Sequence, residues 1–435
     1  MKNNIIVVAI YFLTGVFATA PILTVSLGGK LVSIFSILFV FFYAASLWFA
    51  FESKRNINAG SVSLAFAGWY ILSLIASLAG IMYFGSDSLW VSQVISYVPK
   101  ILIYLTLLLC IMRWHNKDYA LTAFFKGFFC GCIANLTWSV IEGLYFYIFN
   151  DALNDILFVE YVKTLSDDRG YMTVVADGII RASGFNTDPA HLGVIIPIVF
   201  AYALFRRNWY LIALSLTSLV FSGSTTAAVT SMLVTMVSLG KFGLKQINLK
   251  SVGIALIGIF VVMTGLLMND FMRESVFKNA QGFYNRATEN YVSNSDQGPR
   301  YIYHAYFLEA IYFNGFKTLT GSGFGTASHP YVDNPEISVN LDEEHRPYDP
   351  ESTYISYLFD TGFLGLVFYM FVLISSIIFY RRRVHIGFTE VVIYSSLCGM
   401  FFSGFFYHYT LTAYQILILT FSVAGRENFL LFKNS

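Results

Sequence analysis

Apolar runs separated by short polar breaks recur along nearly the whole chain. Crossing a bilayer as a helix takes about 20 apolar residues, and this ruler predicts about twelve spans. They fall near residues 5–23, 31–51, 62–84, 91–112 and 120–149, then 192–204, 209–221, 225–239 and 252–268, and finally 353–380, 390–406 and 411–423. Several of the middle runs are short for a full crossing. Two intervals, 150–189 and 270–350, break the rhythm with polar residues of both charges. The pattern divides the chain into N-terminal spans (1–149), a first polar loop (150–189), central spans (190–269), a large polar loop (270–350), C-terminal spans (351–425) and a tail (426–435). The expected fold class is an all-α polytopic integral membrane protein with one large loop containing short helices.

Composition agrees. Of 435 residues, 56% are hydrophobic and only 12% charged, whereas a soluble domain carries about a quarter charged residues. The net charge of +1 points to no nucleic-acid partner. The placement of charge says more than its sum, because loops rich in Lys and Arg stay in the cytoplasm. Lys54-Arg55, Arg113 with Lys117, Arg206-Arg207, Lys241 with Lys245 and Lys250, and Arg381-Arg382-Arg383 all fall on one side if the spans alternate. Both termini join them there, which leaves the two long polar loops on the opposite face. The sequence Ala18-Thr19-Ala20 resembles a signal-peptidase site, but more spans follow at once, so an uncleaved first span is expected. Cys110, Cys130, Cys132 and Cys398 all sit in apolar runs, where small hydrophobes are expected rather than a disulfide or metal site. Lys126 and Glu390 are close enough to the cytoplasmic ends of their spans to snorkel, whereas Lys100 and Glu142 lie nearer the outer half and are candidates for a cavity lining.

Three polar elements could carry chemistry. The first is Arg181-Ala-Ser-Gly-Phe-Asn-Thr-Asp-Pro-Ala-His-Leu-Gly193, which runs into a span. Helix starts offer unpaired N–H groups and a positive dipole end, so Arg181 there either binds a phosphate or anchors to lipid headgroups. The second is Gly298-Pro299-Arg300 before the aromatic stretch Tyr301–Tyr312, which includes His304. Pro299 suits a helix start, and the Arg300 guanidinium matches a phosphate, or pairs with Asp296. The third is His345-Arg346-Pro-Tyr-Asp-Pro-Glu351-Ser352, directly before the span that contains Gly362-Phe-Leu-Gly365. Glu351 or His345 could take a proton from an acceptor hydroxyl, while Glu351 also reads as an acid favoured by a helix dipole. Gly321-Ser-Gly-Phe-Gly-Thr326 reads as a tight turn, since it lacks the Gly-Lys-Ser/Thr ending of a nucleotide loop. Asp167-Asp168-Arg169 reads as loop acids beside a further cavity candidate, Arg169.

Together these elements resemble the O-antigen polymerase and O-antigen ligase superfamily of bacterial envelope proteins. The resemblance is carried by Arg181-x-x-Gly184 with Pro189 and Gly193, Phe221-Ser-Gly-Ser-Thr-Thr-Ala-Ala228, Arg300, Gly321-x-Gly323-x-Gly325, and Glu351-Ser-Thr-Tyr-Ile with Gly362-x-x-Gly365-Leu366. It implies a GT-C-like membrane glycosyltransferase in the bacterial inner membrane with cytoplasmic termini. Such an enzyme needs no cofactor or metal and takes an undecaprenyl-diphosphate-linked oligosaccharide as donor. Arg181 and Arg300, with Arg346 as a third, would hold the diphosphate, and Glu351 or His345 would be catalytic. Membrane lipids, a chain-length regulator and a flippase of the same pathway are the implied partners. Where the ligase pattern has His followed by Asn, Ser or Gln, this chain has Glu351-Ser352, which favours polymerisation of repeat units into surface polysaccharide. Ligation of glycan to lipid A core is the alternative within the superfamily, and a polysaccharide flippase is the alternative outside it.

Overall fold

The structure is a computed structural model that describes residues 2–27, 30–53, 60–85, 88–113, 118–158, 174–176, 179–186, 191–242, 317–326, 352–383, 387–405 and 413–434. Its elements in chain order are α1 (Lys2–Phe17), β1 (Thr24–Leu27), β2 (Lys30–Ser33), α2 (Ile34–Glu52), α3 (Ser61–Phe84), α4 (Ser88–Arg113), α5 (Asp118–Phe149) and α6 (Leu153–Leu157). There follow β3 (Val174–Ala176), β4 (Ile179–Arg181), α7 (Leu192–Arg206), α8 (Trp209–Ser222), α9 (Thr225–Phe242), α10 (Lys317–Thr320), α11 (Thr353–Arg381), α12 (Phe388–Ser403) and α13 (Ala413–Asn434). Every expected span except 252–268, which lies outside the described residues, overlaps a helix. Among the described residues, Ile34–Glu52, Ser61–Tyr83, Val91–Arg113, Tyr119–Phe149 and Thr353–Arg381 are long and apolar enough to cross a membrane, and five further apolar helices are shorter. The most apolar stretch of α2 is only 17% buried within the protein. An apolar helix with so little protein cover requires a lipid environment. The chain is thus a mostly helical membrane protein.

Two small antiparallel hairpins interrupt the helical pattern, and neither was expected. β1 pairs with β2 in the register Leu27↔Lys30, and β3 pairs with β4 in the register Ala176↔Ile179. Each register leaves two residues between the strands, Gly28-Gly29 and Asp177-Gly178, which are dipeptides that favour two-residue hairpin turns. The first expected span also ends early. The α1 helix stops at Phe17, and Pro21, which lacks an N–H, lies in the turn that follows.

The chain forms two compact units. The first comprises Met1–Phe42, Tyr119–Ala287 and Arg383–Ser403. Within it α1 lies against α5 at backbone contact: a Cβ on Gly127 would strike the Phe12 carbonyl, one on Gly131 the Val16 carbonyl, and one on Gly15 the Phe124 carbonyl. The Gly127-x-x-x-Gly131 spacing puts both glycines on one face, the small-residue arrangement that lets membrane helices pack closely. Phe129 of α5, Tyr202 of α7 and Phe388 of α12 close a triangle of rings with centroids 4.3, 5.4 and 5.3 Å apart. Helices α7, α8, α9 and α12 complete this unit.

The second unit comprises Tyr43–Asp118, Thr288–Arg382 and Gly404–Ser435. Helix α3 packs on α11 through Trp69, whose ring lies 5.5 Å from Tyr357 and 5.4 Å from Tyr369. The C-terminal part of α2 is tied to α4 by the Tyr43 and Thr106 hydroxyls at 2.7 Å and by Ser53 Oγ, which donates to the Arg113 carbonyl at 2.8 Å. Tyr380 donates its hydroxyl to the Ser422 carbonyl and so fastens α13 to α11.

Candidate functional site

The polar residues of the first unit converge on the segment that follows β4. Helix α5 places Asn135, Trp138, Ser139 and Glu142 at intervals of three and four residues, so they form one stripe. Glu142 is buried, and its Oε2 accepts the backbone N–H groups of Ser183 at 3.1 Å and Gly184 at 3.0 Å. A carboxylate at bilayer depth costs on the order of 3 kcal/mol, and hydrogen bonds to a charged group return about 1.5–3 kcal/mol each. Asn135 Oδ1 accepts from Phe185 N and Asn186 Nδ2 at 3.1 and 3.2 Å, and its Nδ2 donates to the Thr19 carbonyl. Asn154 donates to the Gly184 carbonyl at 2.9 Å and is itself oriented by the Trp138 indole N–H at 2.8 Å. The Trp138 and Phe185 rings stack at 4.9 Å. Gly184 has φ +66°, and a Cβ there would run into Asn135 Oδ1, so only glycine fits.

This clamp holds Arg181, the last residue of β4. The next residue, Ala182, donates its N–H to the Phe221 carbonyl at 3.0 Å, which joins the segment to the end of α8. Helix α8 ends on Gly223, in the left-handed region with φ +52°, and the Arg181 side-chain stem lies over this glycine, with Cγ 3.6 Å from where a Cβ would stand. Ser224 then caps α9, its Oγ accepting the Ala227 N–H at 3.2 Å. Arg181, half-buried, therefore stands beside the start of an 18-residue helix whose first-turn N–H groups and dipole favour an anion.

The second unit builds a different device around α11. That helix is interrupted at Gly362, whose φ of +70° and ψ of 179° only glycine adopts readily. The interruption releases the carbonyls of Phe359 and Asp360, which a continuous helix would give to residues 363 and 364. The glycine-rich turn takes them instead: Ser322 N–H donates to Phe359 O and Gly323 N–H to Asp360 O, both at 2.9 Å. The buried Asp360 carboxylate adds a third link, accepting the Thr326 N–H at 3.3 Å. A Cβ on Gly321 would lie 2.5 Å from the Asp360 carbonyl, and one on Gly80 of α3 would collide with the Ser322 carbonyl. Phe324, at the tip, is buried among Trp69, Tyr97 and Tyr357. Immediately after position 351, Ser352 Oγ and Thr353 N–H both donate to the Gly404 carbonyl, at 3.1 and 3.0 Å.

Of the candidate site residues read from sequence, Arg181, Glu142 and Lys100 are described. Arg181 and Glu142 come together as parts of one clamp, with Glu142 turned to the backbone rather than to open space. Lys100 is exposed on α4 with its ammonium 4.4 Å from the centre of the Tyr97 ring. Glu351, His345, Arg346, Arg300, His304 and Arg169 lie outside the described residues. Asp360, Asn135 and Asn154 escaped the sequence reading. For Asp360 the signal was present, an acid inside an apolar run two residues before a glycine. Cys130 is exposed and Cys132 buried, and no cluster of three metal-ligating side chains occurs among the described residues. A family model described as O-antigen ligase matches residues 210–370, from the start of α8 to the middle of α11. No curated protein matches the chain. The match takes in Gly223, Ser224, the glycine-rich turn and Gly362, whereas Arg181 and the clamp precede it.

Proposed function

We propose that the protein is a membrane glycosyltransferase that polymerises undecaprenyl-diphosphate-linked oligosaccharide repeat units into surface polysaccharide at the outer face of the bacterial inner membrane. The observation that carries this reading is Arg181 fixed beside the start of α9, inside and next to the stretch similar to O-antigen ligase. A guanidinium and a helix N-terminus together suit a diphosphate, and at a membrane surface a lipid-linked sugar diphosphate is the donor that such a site fits. In the reaction, Glu351 or His345 takes the proton from an acceptor hydroxyl, whose oxygen attacks the anomeric carbon. The bond from that carbon to the diphosphate breaks, and the released charge is met by Arg181, Arg300 and Arg346 without a metal.

A ligase that transfers the finished glycan to lipid A core is the second reading, favoured by the description of the matching family. Glu351-Ser352, in place of the His expected of a ligase, favours polymerisation. Deleting the protein separates the two. Lipopolysaccharide capped by a single repeat unit is expected of a lost polymerase, whereas bare core with accumulated lipid-linked polymer would establish the ligase. Movement of lipid-linked repeats across vesicles without lengthening would overturn both in favour of a flippase.

A further inference from the structure

We infer that Glu142 is a positioning residue for Arg181, setting the arginine at the start of α9 without touching substrate; the inference rests on the reading of Arg181 as a diphosphate ligand. A single carboxylate oxygen accepts two successive N–H groups, Ser183 and Gly184, two and three residues past Arg181. On the near side of that turn Ala182 N–H is bound to the Phe221 carbonyl. The ring of the same Phe221 lies on Gly143, the residue after Glu142, where a Cβ would come within 2.5 Å of it. Helices α5 and α8 and the segment after β4 are thus knotted at Glu142-Gly143, Phe221 and Ala182–Gly184. Arg181 leaves this knot with its stem over Gly223. Asn154 grips the far side of the turn at the Gly184 carbonyl and the Ser183 hydroxyl. A buried acid in a membrane helix needs a reason to persist there, and here its hydrogen bonds go to the backbone that aims a cation.

The test is binding of undecaprenyl diphosphate and of undecaprenol to the full-length chain in nanodiscs, the ratio of affinities measuring selectivity for the diphosphate. Arg181→Ala is expected to lower that ratio at least about tenfold, the loss of one hydrogen-bonded charge contact. Glu142→Ala should lower it to the same degree, and Glu142→Ala with Arg181→Ala should fall no further than Arg181→Ala alone. Glu142→Gln keeps an oxygen that accepts both N–H groups and should retain the selectivity. A purely structural role would weaken both lipids together and leave the ratio unchanged. If Arg181→Ala keeps the ratio, the diphosphate reading itself fails. If Arg181→Ala loses it while Glu142→Ala keeps it, or if the two losses multiply, only the positioning role fails. Should Glu142→Ala not fold, Asn154→Ala loosens the same turn from its other side, and an unchanged ratio there would overturn the inference.

Discussion

Neighbours fix both the backbone and the stem of Arg181, which on the proposed reading makes it a preorganised donor for the diphosphate. Removing a preorganised donor from a developing charge typically costs 10²–10³ in rate. On the proposed polymerase reading, Arg181→Ala should therefore lower chain lengthening by about two orders of magnitude with protein level unchanged, measured as repeat-unit ladders from reconstituted vesicles. Lysine at the same place keeps the charge but not the fork, so Arg181→Lys should recover only part of the loss. Gly184 is the residue whose change tests the clamp by sterics alone. With φ at +66° and Asn135 Oδ1 in the way, Gly184→Ala should cost about 1–3 kcal/mol, seen as a lower melting temperature of the purified protein. The sequence made Arg181 and Glu142 stand out because charge is conspicuous in an apolar chain. Asn135 and Asn154 did not, since an amide in an apolar run carries no mark of the backbone group it serves, and their partners lie 50 and 30 residues away.

Among the elements, the existence of the helices was legible, since a bilayer demands long apolar runs and little else does, but their ends were not: α1 stops at Phe17 and α13 runs on to Asn434. The hairpins were hidden by the same rule. Residues 31–33 are apolar enough to be read as the start of a span, yet they form β2, and α2 begins at Ile34. The break in α11 was equally hidden: Gly362 and Gly321 are both visible as glycines, but nothing in the sequence says that one turn fills the gap left by the other. This pairing predicts a shared phenotype. Gly362→Ala would set a Cβ against the Leu319 carbonyl and Gly321→Ala one against the Asp360 carbonyl, so each should destabilise the second unit by about 1–3 kcal/mol. Because both disturb one joint, the double variant should lose less than the sum, which thermal unfolding of the two singles and the double would measure.

For the whole molecule, the charge pattern predicts an orientation that can be measured directly. In a chain lacking its four native cysteines, Ser293→Cys should react with a membrane-impermeant thiol reagent applied outside spheroplasts, and Arg382→Cys should react only after lysis. Reaction of Arg382→Cys from outside, with Ser293→Cys reacting only after lysis, would reverse the expected topology. The break in α11 also bears on how such a chain is made. A helix interrupted within lipid cannot close its own backbone bonds, and unsatisfied carbonyls are costly there. Residues 321–326 leave the ribosome before Phe359 and Asp360 do, and α3, with the Gly80 notch that receives the turn, leaves earlier still. Each partner of the joint is therefore already synthesised when the interrupted helix enters the bilayer. A circularly permuted chain that made the glycine-rich turn last would hold α11 open in the membrane until the end of translation, and rapid proteolytic turnover is its expected fate.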